Sequence, residues 1–280
     1  MAHYAQLMPG HGKLDESWVT ERLQVGGTSI YCRRSTHGEG VPLVHLHGFA
    51  ISGAYLMPTA RALVEHGVNV VPDLPGYGHS QRRKPVLDIP ALAETTLAIL
   101  DRLDIEKAVL VGNSMGCPIS LEVAHLAPER VHRLVLVSPA GGVHNQPLSR
   151  ALGQLARDVL RERMAMFPVA IPDYVKFGPL NGLRLFHQLT RFPSLERLLS
   201  TPVPSLAVLG VRDPLMPRPD RVREVARLAP KHLTVALVDE AAHAVNFSHP
   251  RELAGVIGLW LDDAIGDGTR LPEGVRVVTE

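Results

Sequence analysis

A chain of 280 residues, 45% hydrophobic and 20% charged, is long enough for one large domain with a substantial core, and its mixture excludes a disordered or fibrous protein. Its net charge of +1, with no basic run interleaved with aromatics, excludes the usual electrostatic footprint of nucleic-acid binding. No apolar run approaches the roughly 18 residues of a membrane span, and Met1 to Gly12 lacks the basic-then-apolar order of a secretory signal.

Taken in order, residues 18–25 and 28–34 alternate about Gly26-Gly27 and predict an antiparallel hairpin. Residues 41–46 read as a buried strand running into His47-Gly48-Phe49-Ala50, and residues 55–66 as a helix stopped by Gly67. A strand over 68–71 enters Pro72-Asp73-Leu74-Pro75-Gly76-Tyr77-Gly78-His79-Ser80, too dense in turn formers to extend either element. The helix expected over 90–103 opens with proline and leads to a strand over 107–111. Beyond it, 115–126 predicts a helix and 131–137 a strand. This alternation implies a parallel sheet with helices on both faces.

The alternation stops after Ser138-Pro139-Ala140-Gly141-Gly142. Residues 141–201 carry helical patterns alone, clearest over 147–163 and 182–192, and read as an inserted helical cap on a core made of 1–140 and 202–280. A strand over 205–210, a helix over 218–228, a strand over 232–238 and a helix over 250–264 complete a mostly parallel, eight-stranded α/β sheet. The polar tail, 266–280, is assigned neither element nor function.

Chemistry concentrates where the strand over 107–111 continues into Gly112-Asn113-Ser114-Met115-Gly116 and then directly into a helix. A serine on so sharp a turn sits in strained backbone, so its neighbours must be small, as Gly112 and Gly116 are. The turn projects the Ser114 hydroxyl at the strand's carboxyl end, where the following helix presents free amides and the positive end of its dipole. A serine is a weak nucleophile without a base in reach and a third group to orient that base. Such partners gather past the carboxyl ends of strands. Asp213 lies there after strand 205–210, and His243 after strand 232–238.

Other candidates have simpler explanations. His249 directly precedes Pro250 at a helix start and reads as a capping or surface residue. Asp239 and Glu240 precede His243 too closely to hold it from the far side, Asp220 sits near a helix N-terminus, and Asp73 fits its turn. His45 and His47 alternate like half of a metal site, yet no acidic residue follows at ligand spacing, so no metal is expected. Cys32 and Cys117 show no disulfide or metal spacing and are expected as reduced, buried thiols in a cytoplasmic protein. Nothing in the sequence sets an oligomeric state.

The order Ser114, Asp213, His243, each after a different strand, together with His47-Gly48-Phe49 and the Asp73 to Ser80 loop, resembles the serine α/β-hydrolase superfamily from about Val41 to Leu261. The resemblance implies the α/β-hydrolase fold with Ser114 as nucleophile, His243 as base, Asp213 as its orienting acid and the Phe49 and Met115 amides as oxyanion donors. It implies cofactor-free hydrolysis of a small-molecule carbonyl substrate, a carboxylic ester first. Members with aspartate at the elbow open epoxides or remove halogens, and serine argues against both. The elbow is also similar to that of hydrolases cleaving a carbon-carbon bond in vinylogous diketones. Cys117, where those usually have glycine, and Ala244, where they often have tryptophan, depart from that pattern. Thioesterase, lactonase, amidase and perhydrolase activities share the machinery, and a non-catalytic binding module is the alternative of another class. The cap emerges at the Ser114 end of the sheet, which makes Met164, Phe167, Tyr174, Phe177 and Phe186 candidate substrate-binding residues, with Met166 beside them. The cap's arginines read as a solvated face.

Overall fold

The computed structural model describes residues 16–278 apart from 84, 141–144, 218, 229–231 and 267. The expectations for Met1 to Gly12 and for Gly141-Gly142 lie outside the described residues. In chain order the elements are β1 (Trp18–Val25), β2 (Thr28–Ser35), β3 (Leu43–Leu46), α1 (Met57–Ala62), β4 (Asn69–Pro72), α2 (Ile89–Arg102), β5 (Ala108–Asn113), α3 (Gly116–Leu126) and β6 (Val131–Val137). There follow α4 (Leu148–Val159), α5 (Phe167–Phe177), α6 (Pro179–Arg191) and α7 (Ser194–Ser200). The chain closes with β7 (Ser205–Gly210), α8 (Pro219–Leu228), β8 (Leu233–Val238), α9 (Val245–Ser248), α10 (Pro250–Leu261) and β9 (Val275–Val277).

The strands form one sheet in the order β1-β2-β4-β3-β5-β6-β7-β8-β9. From β4 to β8 neighbours run parallel, while β1, β2 and β9 pair antiparallel at the two ends. The central strands are apolar throughout because both faces are covered. In β5, Leu110 faces one side with α2 and α3 residues such as Leu92, Leu100 and Ile119, whereas Val109 and Val111 face the other with Leu253, Ile257 and Trp260 of α10. Among the described residues no helix is long and apolar enough to cross a membrane.

Three details depart from the pattern-based reading. The sheet has nine strands, not eight: Val275–Val277 pairs with β8, burying Val275, and three residues of alternation are too few to announce a strand. The helix expected over 55–66 is broken into a 3₁₀ turn (Gly53–Leu56), α1 and a second 3₁₀ turn (Val64–His66). Pro58 is the reason: lacking an amide donor, it sits in the first turn of α1 rather than inside a longer helix. Between the helices expected over 147–163 and 182–192, the Pro-, Met- and Phe-rich segment is itself helical as α5, started by Pro168.

Candidate active site

At the end of β5 the chain turns through Ser114 at φ 54°, a conformation an L-residue adopts only when its surroundings hold it there. The glycines permit it. A Cβ on Gly112 would overlap the Gly116 carbonyl, and one on Gly116 would overlap the Leu46 carbonyl. The Ser114 amide donates to Val137 O of β6 at 3.0 Å, and α3 begins two residues later. Among the described residues neither the Met115 nor the Phe49 amide donates a hydrogen bond, and the Gly48 and Phe49 loop shares the Ser114 pocket.

The residue before the serine fixes this loop. Tyr55 Oη donates to Asn113 Oδ1 at 2.5 Å and accepts from the Gly48 amide at 2.8 Å. Asn113 Nδ2 donates to Val137 O at 3.2 Å and His243 O at 3.4 Å, tying the ends of β3, β5, β6 and β8 together. His47 lies behind the loop, its Nδ1 donating to Gly48 O at 2.9 Å and its Nε2 accepting from the Leu74 amide at 2.9 Å. His45 is bonded to Asn69 Oδ1 at 2.6 Å through Nε2, and burial lowers its pKa to about 4. Both imidazoles are neutral scaffold groups, and among the described residues no three His, Cys, Asp or Glu are placed to hold a metal ion.

His243 Nδ1 donates to Asp213 Oδ2 at 2.6 Å, leaving Nε2 as the free ring nitrogen. Asp213 is buried and braced by the Leu215 amide, which donates to its Oδ1 at 2.8 Å. Ser114 and His243 line one pocket, with no hydrogen bond between them among the described residues.

Two acidic residues that the sequence reading did not single out stand beside the histidine. Asp158, in the last turn of α4, accepts from the His243 amide at 3.2 Å, and Glu162, just beyond the helix, accepts from the Ala244 amide at 2.6 Å. Their four-residue spacing on one side of a helical turn was the only available signal. Burial raises the pKa of Asp158 to about 6. Burial, with the Asp158 charge adding to it, raises that of Glu162 to about 7. Burial alone would lower the His243 pKa, but Asp213, Asp158 and Glu162 together outweigh it and raise it to about 9.

The pocket encloses about 50 Å³ and is walled by Phe49, Ile51, Tyr55, Leu155, Met166, Tyr174 and Phe186 around these groups. Of the expected cap contacts, Tyr174 and Phe186 are on its wall. Phe177 packs behind it, edge-on to Phe49 at 5.8 Å and stacked on Tyr77 at 4.9 Å. Met164 is 82% exposed and Phe167 is absent from the wall; Met166, the last residue of the 3₁₀ turn (Met164–Met166) before α5, lines it instead. A larger cavity of about 710 Å³, lined by Leu136, Arg150, Phe192 and Val235 among others, contains none of Ser114, Asp213 or His243. Asp73 is spoken for by Arg33 at 2.8 Å, Asp239 pairs with Arg276 at 2.7 Å, and His249 bonds Ser248 at 2.9 Å. Cys117 donates to Gly112 O and Val137 O at 3.2 and 3.3 Å, and burial holds its thiol protonated.

A parallel sheet with a strained serine at the end of β5, an aspartate after β7 and a histidine after β8 defines an α/β-hydrolase architecture. The family model described as the alpha/beta hydrolase fold matches residues 41–160. The dihydrolipoyllysine-residue acetyltransferase component of the acetoin cleaving system of Pseudomonas putida is 31% identical, over 80% of this chain and 64% of its own length. The pimeloyl-[acyl-carrier protein] methyl ester esterase of Aeromonas salmonicida is 27% identical, over 79% of this chain and 95% of its own. Among solved structures, a membrane phospholipase A, described as a bacterial virulence factor, superposes with a TM-score of 0.75 at 21% identity, covering 89% of this chain and 87% of that one. The chain thus spans just under two thirds of the acetoin-system relative. The chain has the α/β-hydrolase fold, which these comparisons share.

Proposed function

We propose that this protein is a serine hydrolase that cleaves a small carboxylic ester through an acyl-enzyme, with Ser114 as nucleophile, His243 as base and Asp213 as the acid that orients it. The observation that carries the reading is the strained Ser114 facing the same pocket as a histidine whose Nδ1 is already committed to Asp213 at 2.6 Å. In this reading His243 Nε2 takes the Ser114 proton as Oγ adds to the carbonyl, and the Met115 and Phe49 amides receive the oxyanion. His243 then protonates the departing alkoxide. Water, deprotonated by the same nitrogen, adds to the acyl-enzyme and releases the acid and free Ser114. The methyl ester esterase relative, aligned over 95% of its length, supports an ester as the carbonyl class.

Residues 141–201 act in this proposal as a cap. Supporting it, α5 is fastened to the body where Asp173 accepts from the Ser52 amide at 2.8 Å, and α7 where Arg197 pairs with Glu122 at 2.9 Å. The test is trapping with an active-site phosphonate beside a panel of p-nitrophenyl esters and a vinylogous diketone. Labelling of wild type that disappears in Ser114→Ala, with ester turnover, is expected. No labelling at all overturns the hydrolase reading in favour of a binding module, and rapid diketone cleavage without ester turnover replaces esterase by carbon-carbon hydrolase.

A further inference from the structure

We infer that Asp158 and Glu162 form a cation-recognition site inside the catalytic pocket, so that the substrate is an ester carrying a protonated amine close to its scissile carbonyl. The inference rests on the esterase reading for the reaction but not for the binding of the cation.

Both side chains are more than nine-tenths buried, at 5% and 8% exposure, and both line the pocket that holds Ser114. One oxygen of each is occupied by a backbone amide of the His243 loop. The other oxygen of each has no hydrogen-bond partner among the described residues, and Glu162 Oε2 is fully buried in that state. A buried carboxylate oxygen without a donor is costly unless something supplies one. Among the described residues the pocket does not: its ionisable walls are Asp158, Glu162, His243, Tyr55 and Tyr174, and no described lysine or arginine lines it. The adjoining Arg157, Arg161 and Arg163 are exposed, and Arg161 donates to Arg212 O at 2.6 Å.

The charge balance points the same way. Three carboxylates, counting Asp213, surround one imidazole, so the fully ionised cluster is negative even when His243 is charged. Burial, with repulsion between the carboxylates, raises the pKa values of Asp158 and Glu162 and so opposes that charge. An ammonium ion compensates it directly with up to three donors, and the aromatic residues Phe49, Tyr174 and Phe186 line the same pocket. At about 50 Å³ the space admits a short alkylammonium group and little more. Binding there also offsets the Asp158 and Glu162 share of the negative field that holds the His243 proton, leaving the Asp213 share in place.

Two measurements test this. Methyl 4-aminobutanoate and methyl pentanoate differ only in an ammonium for a methyl, and turnover of each is followed by acid release. Wild type is expected to prefer the ammonium ester in kcat/KM by about tenfold or more, the scale of one buried charge-assisted hydrogen bond. In Glu162→Gln and Asp158→Asn that ratio falls to within about threefold of unity, whatever the absolute rates. In parallel, n-butylammonium chloride and n-butanol are titrated calorimetrically into wild type, Ser114→Ala and Glu162→Gln. Butylammonium should bind the first two and not the third, and butanol none. Equal or better use of methyl pentanoate by wild type, with Ser114 still labelled, overturns the inference and leaves the esterase reading standing. Butylammonium binding without any Ser114 labelling overturns the esterase reading and leaves the cation site. A variant preference equal to wild type, or butylammonium binding undiminished in Glu162→Gln, removes the assignment to these residues.

Discussion

Replacing Glu162 by glutamine should make the protein relatively more stable as pH rises. The folded-state pKa of this carboxyl lies at about 7 against an ordinary 4.5, so the native protein holds its proton more tightly than the unfolded chain does. Stability from that proton is therefore fully present below about pH 4.5 and is lost as pH rises through about 7. At about 1.4 kcal/mol per pKa unit, the shift amounts to a loss of roughly 3 kcal/mol between pH 4.5 and 8. It is a ceiling, because ionised Glu162 also supports the His243 imidazolium over part of that range. Glutamine keeps an oxygen to accept from the Ala244 amide and carries no charge, so it escapes the loss. Urea unfolding of wild type and Glu162→Gln at pH 4.5 and 8 measures the effect. The difference between the two proteins should move in the variant's favour by about 2–3 kcal/mol from the lower to the higher pH. Parallel curves, or a wild type that gains on the variant at pH 8, would refute the argument that Glu162 is buried without a compensating cation.

Three further outcomes follow from the geometry. Asp213→Asn should keep the fold but lower kcat for ester hydrolysis by about four orders of magnitude, the scale of the wrong-tautomer effect in the serine protease triad; near-normal turnover would mean another acid orients His243. With a neutral ester, kcat/KM of wild type should climb with pH to a midpoint near 9, because the carboxylates around His243 hold its proton below that value. A midpoint at the ordinary histidine value of 6.5 counts against this environment. Gly116→Ala should cost at least about 3 kcal/mol, since the new methyl meets the Leu46 carbonyl on a packed strand that cannot retreat; unfolding indistinguishable from wild type would contradict it.

Much of this arrangement was legible in the chain. The alternation of strands and helices fixes the sheet, and Ser114 between Gly112 and Gly116 is readable because a strained turn admits so few residues on either side. Asp213 and His243 are readable because each immediately follows a strand whose apolar run is unmistakable. Position on the cap was not readable in this way. Whether Met164 or Met166 points inward depends on where the helical turn begins, and a step of two residues exchanges an 82% exposed side chain for a pocket wall. Phe177 kept its apolar character but lost its expected place, because stacking on Tyr77 of the Asp73 to Ser80 loop holds it behind Phe49.

Asp158 and Glu162 were the least legible of all, and the reason bears on how the site works. In the sequence they sit among Arg157, Arg161 and Arg163, in a stretch that reads as an exposed, salt-bridged helix face. The arginines do face solvent. The acids turn inward and reach backbone amides 85 and 82 residues away, a relation no local pattern encodes. Their neighbours therefore leave them without the cations that sequence proximity suggests, and the negative charge so created faces Ser114 rather than water. A cap that brought arginine inward would have neutralised the acids and suited an anionic substrate. Residues 157–163 keep their arginines outside and their carboxylates within, the arrangement on which the proposed cation preference rests.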